Sequence, residues 1–147
     1  MGYASMVKQT NMPDDWRFLA ERDLTIAIHL AENMRPIPAE HIAFLCQQAV
    51  EKFLKGILVI LGDEPPYTHD LPELCKLIEK HRSSFVSISS LCTIITQFSV
   101  QPRYDRGLYL SEEDMQIVLA HTKTIKAFLQ KEMPELFIVP ESRRLVN

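Results

Sequence analysis

Residues 44 to 59 read Phe-Leu-Cys-Gln-Gln-Ala-Val-Glu-Lys-Phe-Leu-Lys-Gly-Ile-Leu-Val, and the fold is decided by this stretch. Around it, apolar residues recur at Ile42, Leu45, Cys46, Ala49, Phe53, Ile57 and Ile60, the three-and-four spacing of one helix face. The opposite face carries Gln47, Gln48, Glu51, Lys52 and Lys55. Gln48, Glu51, Lys52 and Lys55 are three, four and seven positions apart, so they align as one polar seam. Read alone, Lys52 and Lys55 make a solvated face, with Glu51 and Lys55 a surface ion pair.

Helical patterning continues on both sides. Upstream, Trp16, Ala20, Leu24, Ala27, Leu30, Ala31 and Met34 predict a helix from Pro13 to Met34. Pro13 suits its first turn, and Asp14 and Asp15 favour the positive helix start. Pro36 and Pro38 separate this helix from the one above, which stops at Gly62. The proline-rich linker 62–69 reads as irregular. A short third helix follows, capped by Asp70 and Glu73, with Leu71, Leu74, Cys75 and Ile78 inward. A fourth, about Ser84 to Phe98, carries Phe85, Ile88, Leu91, Cys92 and Ile95.

The loop 100–110 leads to a last long helix. Ser111 caps it with Asp114, Leu110 and Met115 form a hydrophobic staple, and Pro134 ends it. Its inward face is Met115, Val118, Leu119, Thr122, Ile125 and Leu129. No strand pattern competes. The expectation is an all-α, antiparallel four-helix up-and-down bundle with an additional short helix. At 147 residues it forms one domain, with a core of about 14–132 and tails at 1–12 and 133–147. The tail 135–147 either frays or packs on a partner subunit.

Composition narrows the function classes. A net charge of −3 argues against a broad DNA-binding surface, while leaving room for a local phosphate site. The three cysteines, Cys46, Cys75 and Cys92, lie on apolar helix faces without metal-type spacing, and read as buried thiols in a reducing cytoplasm. His29, His41, His81 and His121 share no close spacing, so no metal site is expected. Neither a membrane span nor a signal peptide is evident, and no glycine-rich loop offers a nucleotide cofactor site.

Three marks occur in order: Gln48, Glu51, Lys52 and Lys55 on the second helix, then His69-Asp70-Leu71, then Arg103-Tyr104 before the last helix. Together they resemble the HEPN family, the higher-eukaryote and prokaryote nucleotide-binding domain. The resemblance covers about residues 14–132 and implies a homodimer with a functional cleft at the interface. Some members are metal-independent ribonucleases, often toxins of toxin–antitoxin pairs, and others accompany small nucleotidyltransferases.

The nuclease branch carries Arg, four to six residues, then His near the last core helix. The imidazole moves a proton while the arginine holds charge gathering on phosphate. Counting from Arg103, the permitted positions hold Leu108, Tyr109 and Leu110; from Arg106 they hold Ser111, Glu112 and Glu113. The motif is absent there. Matches from Arg22 to His29 and from Arg35 to His41 are coincidences far from the last helix.

His69 has two readings. It braces the start of the third helix, or it meets Arg103 and supplies the missing imidazole as the catalytic pair of a divergent endoribonuclease. Arg103, Tyr104 and Arg106 precede a helix N-terminus, where cations and free N–H groups suit a phosphate. Alternatively, Arg103 pairs with Asp23 or Glu51. The expected function is a cytoplasmic homodimeric module binding a nucleotide or short RNA end. Arg103, Tyr104, Arg106, Lys52, Lys55 and Gln48 would form its binding site, beside a nucleotidyltransferase-type partner.

Overall fold

A computed structural model describes residues 12–99 and 110–144. Its long helices are α1 (Pro13–Asn33), α2 (Ala39–Ile60) and α5 (Glu112–Glu132). The shorter α3 (Leu71–Glu79) and α4 (Ser89–Ser99) lie between α2 and α5 in the chain. Short 3₁₀ segments cover Ser83–Ile88 and Pro134–Phe137, and a one-turn helix, α6, spans Glu141–Arg144. Among the described residues there is no strand, and the helices form the antiparallel bundle expected from the pattern. None of the described helices is long and apolar enough to cross a membrane.

Local chemistry accounts for the boundaries. Pro13 opens α1, with Asp14 and Asp15 in the first turn. Gly62, at φ 91°, ends α2 in a Schellman arrangement. Its own N–H donates to the Val59 carbonyl at 3.1 Å, and that of Asp63 donates to Leu58 at 2.9 Å. The Asp70 carboxylate caps α3 by accepting from the N–H of Glu73. Ser111 caps α5 by accepting from Asp114 N–H at 3.0 Å, and the inward face of α5 matches the predicted one.

The single fourth helix expected from Ser84 to Phe98 is instead a 3₁₀ turn running into α4. Serine hydroxyls compete for the backbone there: Ser87 donates to the carbonyl of Ser84 at 2.9 Å, and Ser89 to that of Val86 at 3.0 Å. At the end of α1, Met34 is exposed rather than inward, because the helix stops at Asn33.

α2 is the hub. It packs most extensively on α1 and also touches α3, α4 and α5. Enclosure on so many sides buries more than one stripe. Ile42, Cys46, Ala49, Phe53 and Ile57 are inside as expected, and so is a second apolar row, Val50, Leu54 and Leu58. Leu45 and Ile60, placed in the stripe by periodicity, are only partly covered.

The C-terminal segment is packed on its own chain through residue 144. Leu136 is buried, the Phe137 ring lies 5.5 Å from that of Phe53, and Arg143 reaches back to α1.

Candidate functional site

The polar face of α2 is mostly not a solvated one. Gln47, Glu51 and Lys55, at i, i+4 and i+8, are 6%, 4% and 3% exposed. The expected surface pair of Glu51 and Lys55 is therefore an interior one, with Lys55 Nζ 3.2 Å from Glu51 Oε2. Lys55 lies under the Trp16 ring, 5.6 Å from its centroid, because α1 crosses α2 there. Lys52 is also not free in solvent: its ammonium meets Asp23 on α1 at 2.5 Å. Gln48 is partly exposed.

His69 converges on this buried row. Its Nδ1 is 3.1 Å from each oxygen of Glu51, while the imidazole side chain is 79% exposed. A carboxylate only accepts, so Nδ1 carries the hydrogen in this contact and the solvent-side nitrogen is Nε2. One residue thus joins the interior to the surface.

The main chain at His69 is fixed as well. Gln47 Nε2 donates to the His69 carbonyl at 2.7 Å. The N–H of Asp70 donates to Thr68 Oγ1 at 3.1 Å, and that hydroxyl donates to Glu73 Oε1 at 3.2 Å. The junction before α3 is locked by its own turn chemistry and by α2 together. Gln47 has a further neighbour: Ser99 Oγ, at the end of α4, is 3.5 Å from Gln47 Oε1. The same hydroxyl also donates to the Ile95 carbonyl.

Arg103, Tyr104 and Arg106 lie outside the described residues. The two carboxylates considered as partners for Arg103 have partners on the bundle: Asp23 holds Lys52, and Glu51 holds Lys55 and His69.

A match to the family model of the HEPN domain runs from residue 13 to 133. The chain belongs to the HEPN domain family. Its fold is similar to the crystal structure of an archaeal HEPN homologue, with a TM-score of 0.64 and 24% sequence identity. That superposition covers 82% of this chain and 97% of the archaeal one, which establishes a shared bundle. No curated protein matches the chain.

In this HEPN domain the chance Arg–His spacings have local explanations. Arg22 lies 5.5 Å from the Phe18 ring, His29 bonds Asn33, and Arg35 donates to the carbonyls of Ala31 and Met34. Among the described residues no group of three or more His, Cys, Asp or Glu could hold a metal ion. All three cysteines are buried free thiols. Burial pushes the Cys46 thiol up to about 11, and the thiol of Cys92 is raised by its own hydrogen bond with Cys75 and by burial, so both stay protonated.

Sequence reading missed Gln47 as part of the site and Trp16 as its roof. The signal for Gln47 was the i, i+4, i+8 spacing of 47, 51 and 55, which is as regular as the seam chosen instead. Nothing in the sequence brings Trp16 over Lys55; that needs the crossing of α1 on α2.

Proposed function

We propose that this HEPN domain is a homodimeric module that binds a nucleotide or a short RNA end. His69 contacts the ligand, and Arg103, Tyr104 and Arg106 contribute cations and a stacking ring. The observation that carries the reading is the exposed imidazole of His69, backed at Nδ1 by a carboxylate in the interior. Exposed residues that merely fill space do not need a buried ionic support, whereas ligand-contacting groups gain from a fixed orientation.

The contact between Ser99 and Gln47 supports convergence of the two parts. Arg103 follows Ser99 by four residues, and four residues span at most about 14 Å. A site shared by His69 and Arg103 is therefore within covalent reach. Lys52 and Gln48 border it on α2, and Lys55 contributes through Glu51. A nucleotidyltransferase-type protein is the partner this module would accompany.

Calorimetry with mononucleotides and short RNA tests the reading. Binding to the wild type, weakened at least tenfold in His69→Ala and in Arg103→Ala, is the expected result. A wild type that binds neither ligand class refutes it.

The same backed imidazole favours a second reading, a divergent metal-independent endoribonuclease. A histidine held at Nδ1 with Nε2 open has the geometry of a general base for a 2′-hydroxyl. Arg103 would hold the charge developing on phosphate. This reading predicts RNA cleavage that persists in EDTA and disappears in His69→Ala. Intact RNA after prolonged incubation excludes it.

A further inference from the structure

We infer that Glu51 is a positioning residue: its carboxylate, paired with Lys55 inside the bundle, selects the His69 tautomer that leaves Nε2 bare toward solvent. This rests on the reading of His69 as the ligand-contacting group, and adds how that group is prepared.

The geometry carries it in three steps. First, both Glu51 oxygens lie 3.1 Å from Nδ1, and a carboxylate offers no hydrogen. The neutral ring must then donate from Nδ1. Second, Glu51 is 4% exposed and forms its ion pair inside the bundle. The Lys55 ammonium, 3.2 Å from Glu51 Oε2, fixes the carboxylate, and packing beneath Trp16 keeps Lys55 in place.

Third, the main chain that carries the ring is held. The His69 carbonyl is held by Gln47, and the following residue begins the cap of α3. The main chain thus places the ring, and the Glu51 contact orients it. A neutral ring with a bare Nε2 accepts a hydrogen bond or takes a proton. The ligand atom it fits is a hydrogen-bond donor, such as a ribose hydroxyl.

Nitrogen-15 NMR of the ring, at a pH where the imidazole is neutral, reads the tautomer directly and needs no ligand. His81 is an internal reference, since Asp63 contacts its Nε2 at 2.8 Å and favours the other form. In the wild type His69 should be predominantly protonated on Nδ1. In Glu51→Gln, whose amide can either accept or donate, it should become a mixture. The doubly substituted Glu51→Gln/Lys55→Met protein, in which both members of the ion pair are replaced, should show the same mixture and covers the case in which the single variant does not fold.

A wild-type His69 protonated on Nε2, or a tautomer unchanged by loss of Glu51, overturns the assignment. AMP titrations on the same samples separate the two layers. Loss of the tautomer preference with about a tenfold weaker AMP affinity supports both. Absence of AMP binding to a correctly tautomerised wild type counts against the binding reading alone.

Discussion

Gln47 and His69 are 22 positions apart, and the side-chain amide of the first donates to the main-chain carbonyl of the second at 2.7 Å. This bond ties the middle of α2 to the residue that opens toward solvent. Gln47 is buried, so an isosteric change tests hydrogen bonding without changing volume. Gln47→Glu replaces the donor with a carboxylate facing a carbonyl. A buried group left without its partner costs about 2 kcal/mol, and that is the expected loss at neutral pH.

The introduced carboxyl would have a raised folded pKa, so its contribution is retained below the unfolded value and lost as pH rises. The deficit should therefore shrink as pH falls from neutral toward about 4 and stay small below it, where a neutral carboxyl can donate to the His69 carbonyl. Urea denaturation of both proteins at neutral and acid pH measures it. A deficit independent of pH would show that the bond at His69 is not the origin.

Glu51 and Lys55 give a contrast between breaking a buried pair and removing it. Glu51→Gln takes away the carboxylate 3.2 Å from a Lys55 ammonium that is 3% exposed. The expected loss is about 3 kcal/mol, since the buried ammonium loses this carboxylate. Lys55→Met added to that change removes the charge and keeps an unbranched apolar stem of similar length. Most of the lost stability should return in the double variant. Denaturant midpoints of the singles and the double form a thermodynamic cycle. Additive losses would mean the two residues act independently.

Helix order, capping and the inward faces of α1, α3 and α5 were legible because each is local. Asp70, Ser111 and Gly62 act on backbone groups within a few residues of themselves. The polar side of α2 was not legible, since its burial depends on α1, α3, α4 and α5 closing around it. Lys55 has the residue type of a solvated face and becomes an interior cation through Trp16, 39 positions earlier. The 3₁₀ turn at Ser83–Ile88 was missed for a different reason: apolar spacing fits both helix types, and serine back-bonding decided between them. For the site, His69 was visible as a residue, but its attachment to Glu51 spans 18 positions and has no local signature.

The crossing of α1 over α2 also rests on Gly56. A Cβ there would lie 3.0 Å from Trp16 Cβ and 3.0 Å from Leu136 Cδ1, with the Pro13 carbonyl at 3.4 Å. Leu136 can rotate away, but Trp16 Cβ moves only with the α1 backbone. Glycine costs up to about 1 kcal/mol of helix propensity at this position, and close approach outweighs it. Gly56→Val should destabilise the protein by about 2 kcal/mol, the scale of overpacking a tight core. Because Trp16 covers Lys55, the quantum yield of its fluorescence should change with the same substitution. Thermal denaturation followed by tryptophan emission reports both; unchanged stability would mean α1 can withdraw without loss.

Arg143 fastens the C-terminal segment to the start of α1, and acid should release it. Its guanidinium donates to Asp14 at 2.7 Å and to Asp15 at 2.8 Å, and stacks 4.2 Å from the Phe18 ring. Partial burial raises the Asp14 carboxyl, but bonds from Arg17 and Arg143 outweigh this and hold it below its ordinary value. A depressed folded pKa contributes stability above the unfolded value, and that contribution is lost as pH falls through the folded one. The window therefore opens near pH 4 and extends downward, about where a free aspartate begins to protonate. Arg143→Met should cost at most about 1 kcal/mol at neutral pH, as expected for a partly exposed pair. The difference from wild type should fade once Asp14 is protonated in both proteins. Denaturation curves across the acid range, with carboxyl NMR titration of Asp14, check the linkage. If Asp14 titrates alike in both proteins, the arginine does not hold its charge, and the segment is kept in place by Leu136 and Phe137 instead.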